Sequence, residues 1–259
     1  MDDDRDRPVF GSLLRQWRQR RRVSQLDLAL AADVSARHVS FLETGRSRPS
    51  REMVLRLAER LEVPLRDRNP LLLAAGFAPS YPQRDLADPA LTPVRDAVAA
   101  ILTGYEPYPA LAVDRGWNLV AANAGVAALT ASAAPPLLAP PVNVLRLSLH
   151  PDGMAPRIVN LAQWRHHVLG RLAREAAAGA DDALAALHRE LSGYPGGTEA
   201  GSAEQSVAVP LRILVDGREL SFLSTVTTFG TALDITAAEL SIEAFLPADE
   251  ATAAALRRS

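Results

Sequence analysis

The chain has 259 residues, of which 48% are hydrophobic, so it can bury the cores of one large or two ordinary domains and is not broadly disordered. It contains no cysteine and no lysine, which excludes a disulfide framework, a thiol nucleophile, a P-loop lysine and a Schiff-base lysine. The formal charge of −2 is uneven, because residues 1–68 carry +4 and the remainder −6.

The N-terminus, MDDDRDRP, is acidic and has no apolar segment of the kind found in export signals. The sequence also has no apolar run long enough to span a bilayer. These features predict a soluble, cytoplasmic protein.

The first part of the chain predicts a series of short helices. Residues 9–19 place their apolar side chains on one helical face. Ser24, Ser35 and Ser50 each stand where an N-cap residue would begin a further helix, and Gly45 stands where a helix would end. A last short helix is predicted over residues 69–75, with a proline in its first turn.

The two helices that begin after Ser24 and Ser35 are joined by a tight turn. The first is expected to carry Leu26, Leu28, Ala29 and Ala32 on one apolar side, whereas the second begins with small or hydrogen-bonding side chains. This is the layout of a helix-turn-helix, whose second helix enters the major groove of DNA. The positive charge of residues 1–68 supports that interpretation.

The same residues resemble the Xre/Cro family of repressors, through SQ at 24–25, LA at 28–29, VS at 34–35 and LETGRSRPS at 42–50. The resemblance implies a five-helix bundle, in which Gln25 contacts phosphate, Arg37 reads a base, and Arg46 and Arg48 grip phosphate in the following loop. An arginine at position 37 could form a bidentate contact with guanine. The remaining candidates for DNA contact lie at neighbouring positions of the same helix: Ser35, Ala36, His38, Ser40 and Phe41. We assign this domain to residues 1–78 and a Pro- and Gly-containing linker to residues 79–90.

Residues 91–259 predict an α+β domain. Short apolar runs flank Arg115-Gly116 and Asp216-Gly217, and each pair reads as a β-hairpin. In the second hairpin the sequence pairs Ile213 with Leu220 and Leu211 with Phe222 on an apolar face, and would extend to Val209 with Ser224 and Val207 with Val226. With a final strand in ELSIEAFLP, the pattern predicts about five antiparallel strands with helices on one side, a PAS-like layout.

This second domain resembles the MmyB-like transcription regulators, through ALAVDRGWNLVAAN, NVLRLSLHPDG and the long segment FLSTVTTFGTALDITAAELSIEAFLPADEAT. The resemblance implies a dimeric regulator that holds a small, apolar, fatty-acid-like ligand without a covalent cofactor. The candidate ligand contacts, each of which could instead be a core residue, are Trp117, Asn123, Trp164, His167, Phe222 and Thr227.

Two other classes of function remain open. The first domain could bind a protein partner, with DNA contact incidental, or the second could be an enzyme. An enzyme is disfavoured because the sequence has no G-x-S-x-G elbow, and GYPGG near Gly193 lacks the lysine of a phosphate-binding loop. His166 and His167 are neighbours on a predicted helix and point about 100° apart, so they cannot share a metal ion. We therefore predict no catalytic or metal-binding residues.

Overall fold

The computed structural model of the protein describes residues 9–179, 181–197 and 208–257. The chain forms two compact units. One comprises Met1–Arg84 and Ala232–Ile235, and the other comprises Asp85–Thr231 and Thr236–Ser259.

The N-terminal unit contains the predicted five-helix bundle. Its core is a single cluster of buried apolar side chains that includes Leu14, Trp17, Leu28, Val39 and Leu57. The helices are α1 (Phe10–Arg20), α2 (Gln25–Ala31), α3 (Ala36–Glu43), α4 (Arg51–Arg60) and α5 (Leu65–Ala74).

Serine caps begin three of these helices, as predicted. The Ser24 hydroxyl accepts a hydrogen bond from the Asp27 amide at 3.0 Å, and the Asp27 carboxylate accepts a longer one, at 3.4 Å, from the Ser24 amide, which completes a capping box. Ser35 and Ser50 accept the equivalent bond from the amide three residues on. Gly45 adopts a φ of +72°, the left-handed conformation expected just after a helix.

Two local predictions are wrong in detail. Leu26 is 58% exposed, because two residues of helix rotate it about 200° away from buried Leu28. The last helix begins at Leu65 and not at position 69, so Pro70 lies inside it. The sequence places Pro70 in the first turn of this helix, whereas Pro64 occupies the N-cap position and Pro70 lies within the helix.

The C-terminal unit is an α+β domain with one five-stranded antiparallel sheet in the order β2-β1-β5-β4-β3. The strands are β1 (Ala110–Val113), β2 (Leu119–Ala122), β3 (Leu211–Val215), β4 (Arg218–Thr228) and β5 (Ser241–Pro247). The helices are α6 (Thr92–Gly104), α7 (Gly125–Thr130), α8 (Val144–Leu149), α9 (Leu161–Gly179), α10 (Asp182–Ser192), α11 (Ile235–Ala238) and α12 (Glu250–Leu256). The fold class predicted from the sequence is confirmed.

The register of the second hairpin is the predicted one as far as the ladder extends. Leu211 pairs with Phe222 and Ile213 with Leu220, around the turn at Asp216-Gly217. β3 begins at Leu211, so the expected pairing of Val209 with Ser224 is not part of the ladder. Val207 lies outside the described residues.

Helices cover both faces of the sheet, and the prediction of helices on one side is wrong. Val98 and Leu102 of α6 pack on Ala110 and Ala112, whereas Leu111 and Val113 face the core formed with α8, α9 and α10. All four residues of β1 are therefore buried. An uninterrupted apolar strand such as ALAV is typical of a sheet that is covered on both faces.

None of the helices in the described parts of the chain combines the length and the apolar character needed to cross a membrane.

Candidate nucleic-acid interface and ligand pocket

The predicted reading helix α3 is seated closely against α1. Val39 and Leu42 bury one side of α3 in the bundle core. At Gly11 of α1, a Cβ atom would lie 2.5 Å from the carbonyl oxygen of Leu42 and 2.6 Å from that of Glu43. Only glycine permits this approach, so the position of α3 depends on the absence of a side chain at residue 11.

A buried polar cluster fixes the same end of α3. Arg18 of α1 donates two hydrogen bonds to Glu43, at 2.5 and 2.9 Å, and Gln25 of α2 donates a third at 2.7 Å. The Glu43 side chain is only 3% exposed. Burial alone would raise the pKa of Glu43, but the bonds from Arg18 and Gln25 outweigh it and lower the pKa below its ordinary value. The cluster joins three helices around one ionised carboxylate.

Gln25 therefore has a structural contact that the sequence did not suggest. Its side-chain amide nitrogen bonds to Glu43, which holds the first helix of the motif against the second. An amide nitrogen carries two donors, so one remains for the predicted phosphate contact.

Arg37 lies on the exposed side of α3, in its first turn. Its guanidinium carbon lies 5.1 Å from the centre of the Phe41 ring, and that of Arg46 lies 5.9 Å from the same ring. Phe41 thus brings together the predicted base-reading arginine and a predicted phosphate-gripping arginine through cation–π contacts.

The other predicted contacts lie around this group. Arg46 and Arg48 are exposed in the loop after α3, while Ala36, His38 and Ser40 are half-buried on the helix. The Ser35 hydroxyl is exposed but already accepts the amide of His38 as the cap of α3. The structure brings the nine predicted residues to α3, its cap, the start of α2 and the loop after α3, and their contacts with DNA stay a prediction.

The basic cluster at residues 20–22 has a partly structural role. Arg21 donates to the carbonyl oxygens of Leu61 and Glu62 at 2.9 and 2.7 Å, and so binds the C-terminal end of α4. Arg20 and Arg21 both lie over the Trp17 ring.

The C-terminal unit contains a cavity of about 210 Å³ between the sheet and helices α7, α8 and α9. Most of its wall is apolar, with side chains such as Leu111, Leu145, Met154, Val168 and Phe245. Five polar side chains interrupt that wall: Thr130, Ser148, His167, Arg171 and Glu243. A cavity with this lining suits a small apolar ligand with one polar group.

The polar side chains of the cavity include a linked set. Arg171 donates to Glu175 at 2.9 Å and to Glu243 at 3.2 Å, and its guanidinium carbon lies 4.4 Å from the centre of the Trp117 ring. Trp117 in turn donates its indole N–H to Glu175 at 3.0 Å. Trp117 adopts a φ of +63°, an uncommon conformation for a bulky residue, and strained residues cluster at binding sites.

Burial changes the titration of two groups that line this cavity. It raises the pKa of Glu243, which Arg171 and the hydroxyl of Ser224 lower only in part. It also lowers the pKa of His167, and the nearby positive charges of Arg171 and Arg174 lower it further, which favours the neutral imidazole.

The sequence predicted three of the lining residues and missed the charged pair. Trp117, Trp164 and His167 line the cavity, and the rings of Trp164 and His167 stack with centres 5.6 Å apart. Arg171 lies one helical turn after His167, a spacing that could have identified it, whereas Glu243 stands on a distant strand and gave no such signal.

The other three candidates are not brought to the cavity. Asn123 accepts the amide of Ala110 and donates to the carbonyls of Leu102 and Tyr108, so its polar atoms hold the backbone near β1. Phe222 is fully buried in the core, and Thr227 is exposed on β4. Asn123 and Phe222 therefore have structural roles that side-chain chemistry alone did not reveal.

Together, the bundle with an exposed α3 and the α+β domain with an apolar cavity define a helix-turn-helix protein with a ligand-binding domain. A family model described as the MmyB-like transcription regulator ligand binding domain matches residues 94–258, and a helix-turn-helix model matches residues 14–67. The chain belongs to the MmyB-like transcription regulators, and it is a DNA-binding transcription regulator with a ligand-binding domain.

Among solved structures, the chain is similar to the clp gene regulator ClgR from Corynebacterium glutamicum, with 26% identity over 39% of this chain and 98% of that one. The TM-score is 0.24, too low for the likeness to define the fold. No curated protein matches the chain.

Proposed function

We propose that the protein is a cytoplasmic homodimer that binds operator DNA through α3 and changes its DNA affinity when a small, apolar, fatty-acid-like ligand occupies the cavity. The observation that carries the DNA part is the position of Arg37, which is exposed at the start of a helix whose other end is fixed to α1 and α2. Residues near the start of a reading helix are those that reach base edges.

A dimer would place two copies of α3 in successive major grooves, about 34 Å apart. The cavity supports the ligand part, because its wall is mostly apolar and its polar side chains are few. For the ligand to control DNA binding, it must bind one dimer arrangement more tightly than another. By reciprocity, operator DNA would then change the affinity for the ligand by the same factor.

The test compares Arg37→Ala with Arg48→Ala on an operator selected from random duplexes and on an unrelated duplex, at one fixed salt concentration. We expect Arg37→Ala to cost about 1–3 kcal/mol on the operator and to relax the preference at one base pair. We expect Arg48→Ala to weaken both duplexes alike, because a phosphate contact carries no sequence information.

Equal losses on both duplexes for Arg37→Ala would contradict its role as a base reader. If the wild-type protein gave no salt-dependent shift of any duplex, the DNA-binding proposal would be wrong and a protein partner would be favoured.

A further inference from the structure

Phe41 is an aromatic residue of the bundle that lies away from its core. Phe10 and Trp17 are buried in the core cluster and Phe77 packs against it, whereas Phe41 is not among the described residues that form or contact that cluster. On α3, Phe41 lies about 200° around the helix axis from buried Val39. Packing of the core therefore gives no reason for an aromatic side chain at this position.

Phe41 instead shares the outer face of α3 with the predicted base-reading residue. Arg37 precedes it by four residues, so the two side chains lie one helical turn apart on the same side. The backbone below the ring is fixed, because the Phe41 carbonyl oxygen accepts the amides of Arg46 at 2.8 Å and Ser47 at 3.2 Å. A half-buried apolar ring is thus held at a set position on the reading helix, with two guanidinium groups next to it.

The major groove of DNA offers one apolar group to such a ring. Base-pair edges present hydrogen-bond donors and acceptors there, and thymine adds its C5-methyl group, which apolar side chains such as phenylalanine contact. Four residues of helix span about 6 Å, and one base-pair step is about 3.4 Å. Arg37 and Phe41 would therefore lie over positions about two base pairs apart.

We infer that Phe41 is a second specificity-determining residue of α3, and that it recognises the C5-methyl group of a thymine about two base pairs from the base that Arg37 reads. This inference rests on the DNA-binding part of the proposed function and adds the identity of a second base.

The test replaces each thymine of the selected operator, one at a time, by uracil, which lacks only the C5-methyl group. Binding of the full-length protein is measured at one fixed salt concentration. We expect one position in each half-site, about two base pairs from the one at which Arg37→Ala relaxes the preference, where uracil weakens binding about three- to fivefold. That is the effect of removing one methyl-sized apolar group from a buried contact.

Two variants of Phe41 assign the effect to this side chain. Phe41→Ala should remove the sensitivity to uracil at that position, and should weaken the operator more than the unrelated duplex. Phe41→Leu loses the ring but keeps an apolar side chain, so it should retain the sensitivity. Arg48→Ala is the control from the phosphate-gripping loop, and should weaken every duplex while remaining as sensitive to uracil as the wild-type protein.

The inference would be overturned if no uracil replacement weakened binding by the wild-type protein, or if Phe41→Ala kept the sensitivity. Equal losses on both duplexes for Phe41→Ala would also overturn it, because Phe41 would then only support the neighbouring arginines. Each of these results leaves salt-dependent DNA binding intact. Absence of salt-dependent binding to any duplex is a different result, which contradicts the proposed function and this inference with it.

Discussion

The two units of the molecule each bury a glutamate, and they treat its charge in opposite ways. Glu43 receives three hydrogen bonds from Arg18 and Gln25, so its ionised form is favoured in the folded state. Glu243 shares Arg171 with a second carboxylate and faces a cavity, so burial disfavours its ionised form. A buried carboxylate whose charge is balanced by hydrogen bonds and an arginine holds helices in place. A buried carboxylate that is only partly balanced can instead interact with a ligand.

The largest expected effect is that of Glu43→Ala. Removing this side chain leaves the Arg18 guanidinium buried without its carboxylate, which costs about 3–5 kcal/mol in comparable pairs. Peptide-resolved hydrogen exchange should show α1, α2 and α3 losing protection, with DNA binding lost on every duplex. The exposed pair of Glu52 and Arg56 provides the control, since Glu52→Ala should cost less than about 0.5 kcal/mol. Similar effects of the two changes would contradict the matched-charge description.

A smaller effect is expected for Gly11→Ala. The new methyl group would meet two backbone oxygens of α3, and overpacking of this kind costs about 1–3 kcal/mol. Chemical denaturation of the full chain measures the loss. Gly104→Ala in α6 is the matched control, because a Cβ there meets nothing within 4 Å and its φ is not in the left-handed region. If the two variants were equally stable, the close approach of α1 to α3 would not hold.

The smallest expected change in stability is that of Glu243→Gln. Because burial raises the pKa of Glu243, the charge is a cost to the folded state at pH 7. Its removal should change the unfolding free energy by less than about 1 kcal/mol or stabilise the domain, whereas Glu43→Gln should destabilise the bundle. Thermal unfolding of both variants measures whether each one is less or more stable than the wild-type protein. A marked loss of stability in Glu243→Gln would contradict the proposed difference between the two glutamates.

The stability of the two units should also change in opposite directions as the pH falls. The pKa of Glu43 is lowered by folding, so its contribution is present above its ordinary value near 4.5 and is lost as the pH falls through the lowered pKa. The pKa of Glu243 is raised, so the C-terminal unit gains stability as the pH falls through that raised pKa. Hydrogen exchange at a series of pH values can follow α3 and β5 separately. Parallel changes in both would contradict this assignment.

Much of the fold could be predicted because its signals are local. The caps at Ser24, Ser35 and Ser50 each involve an amide three residues away, and the second hairpin turns at Asp216-Gly217. The charged clusters could not be predicted, since Arg18 is 25 residues from Glu43 and Arg171 is 72 residues from Glu243. Residue type and spacing predict helices, strands and turns, but the pairing of distant side chains depends on how those helices and strands pack. For that reason the sequence placed Asn123 and Phe222 in a ligand site, where packing gives them structural roles.

The close contact at Gly11 also limits how a signal can reach DNA. With its C-terminal end pressed on α1 and tied through Arg18, α3 has little freedom to tilt or unwind within the bundle. If the protein is the ligand-controlled homodimer proposed above, the ligand would move each bundle as a rigid body and change the distance between the two reading helices. A ligand-free and a ligand-bound protein should therefore differ in which half-site separations they tolerate, while preferring the same base pairs within each half-site.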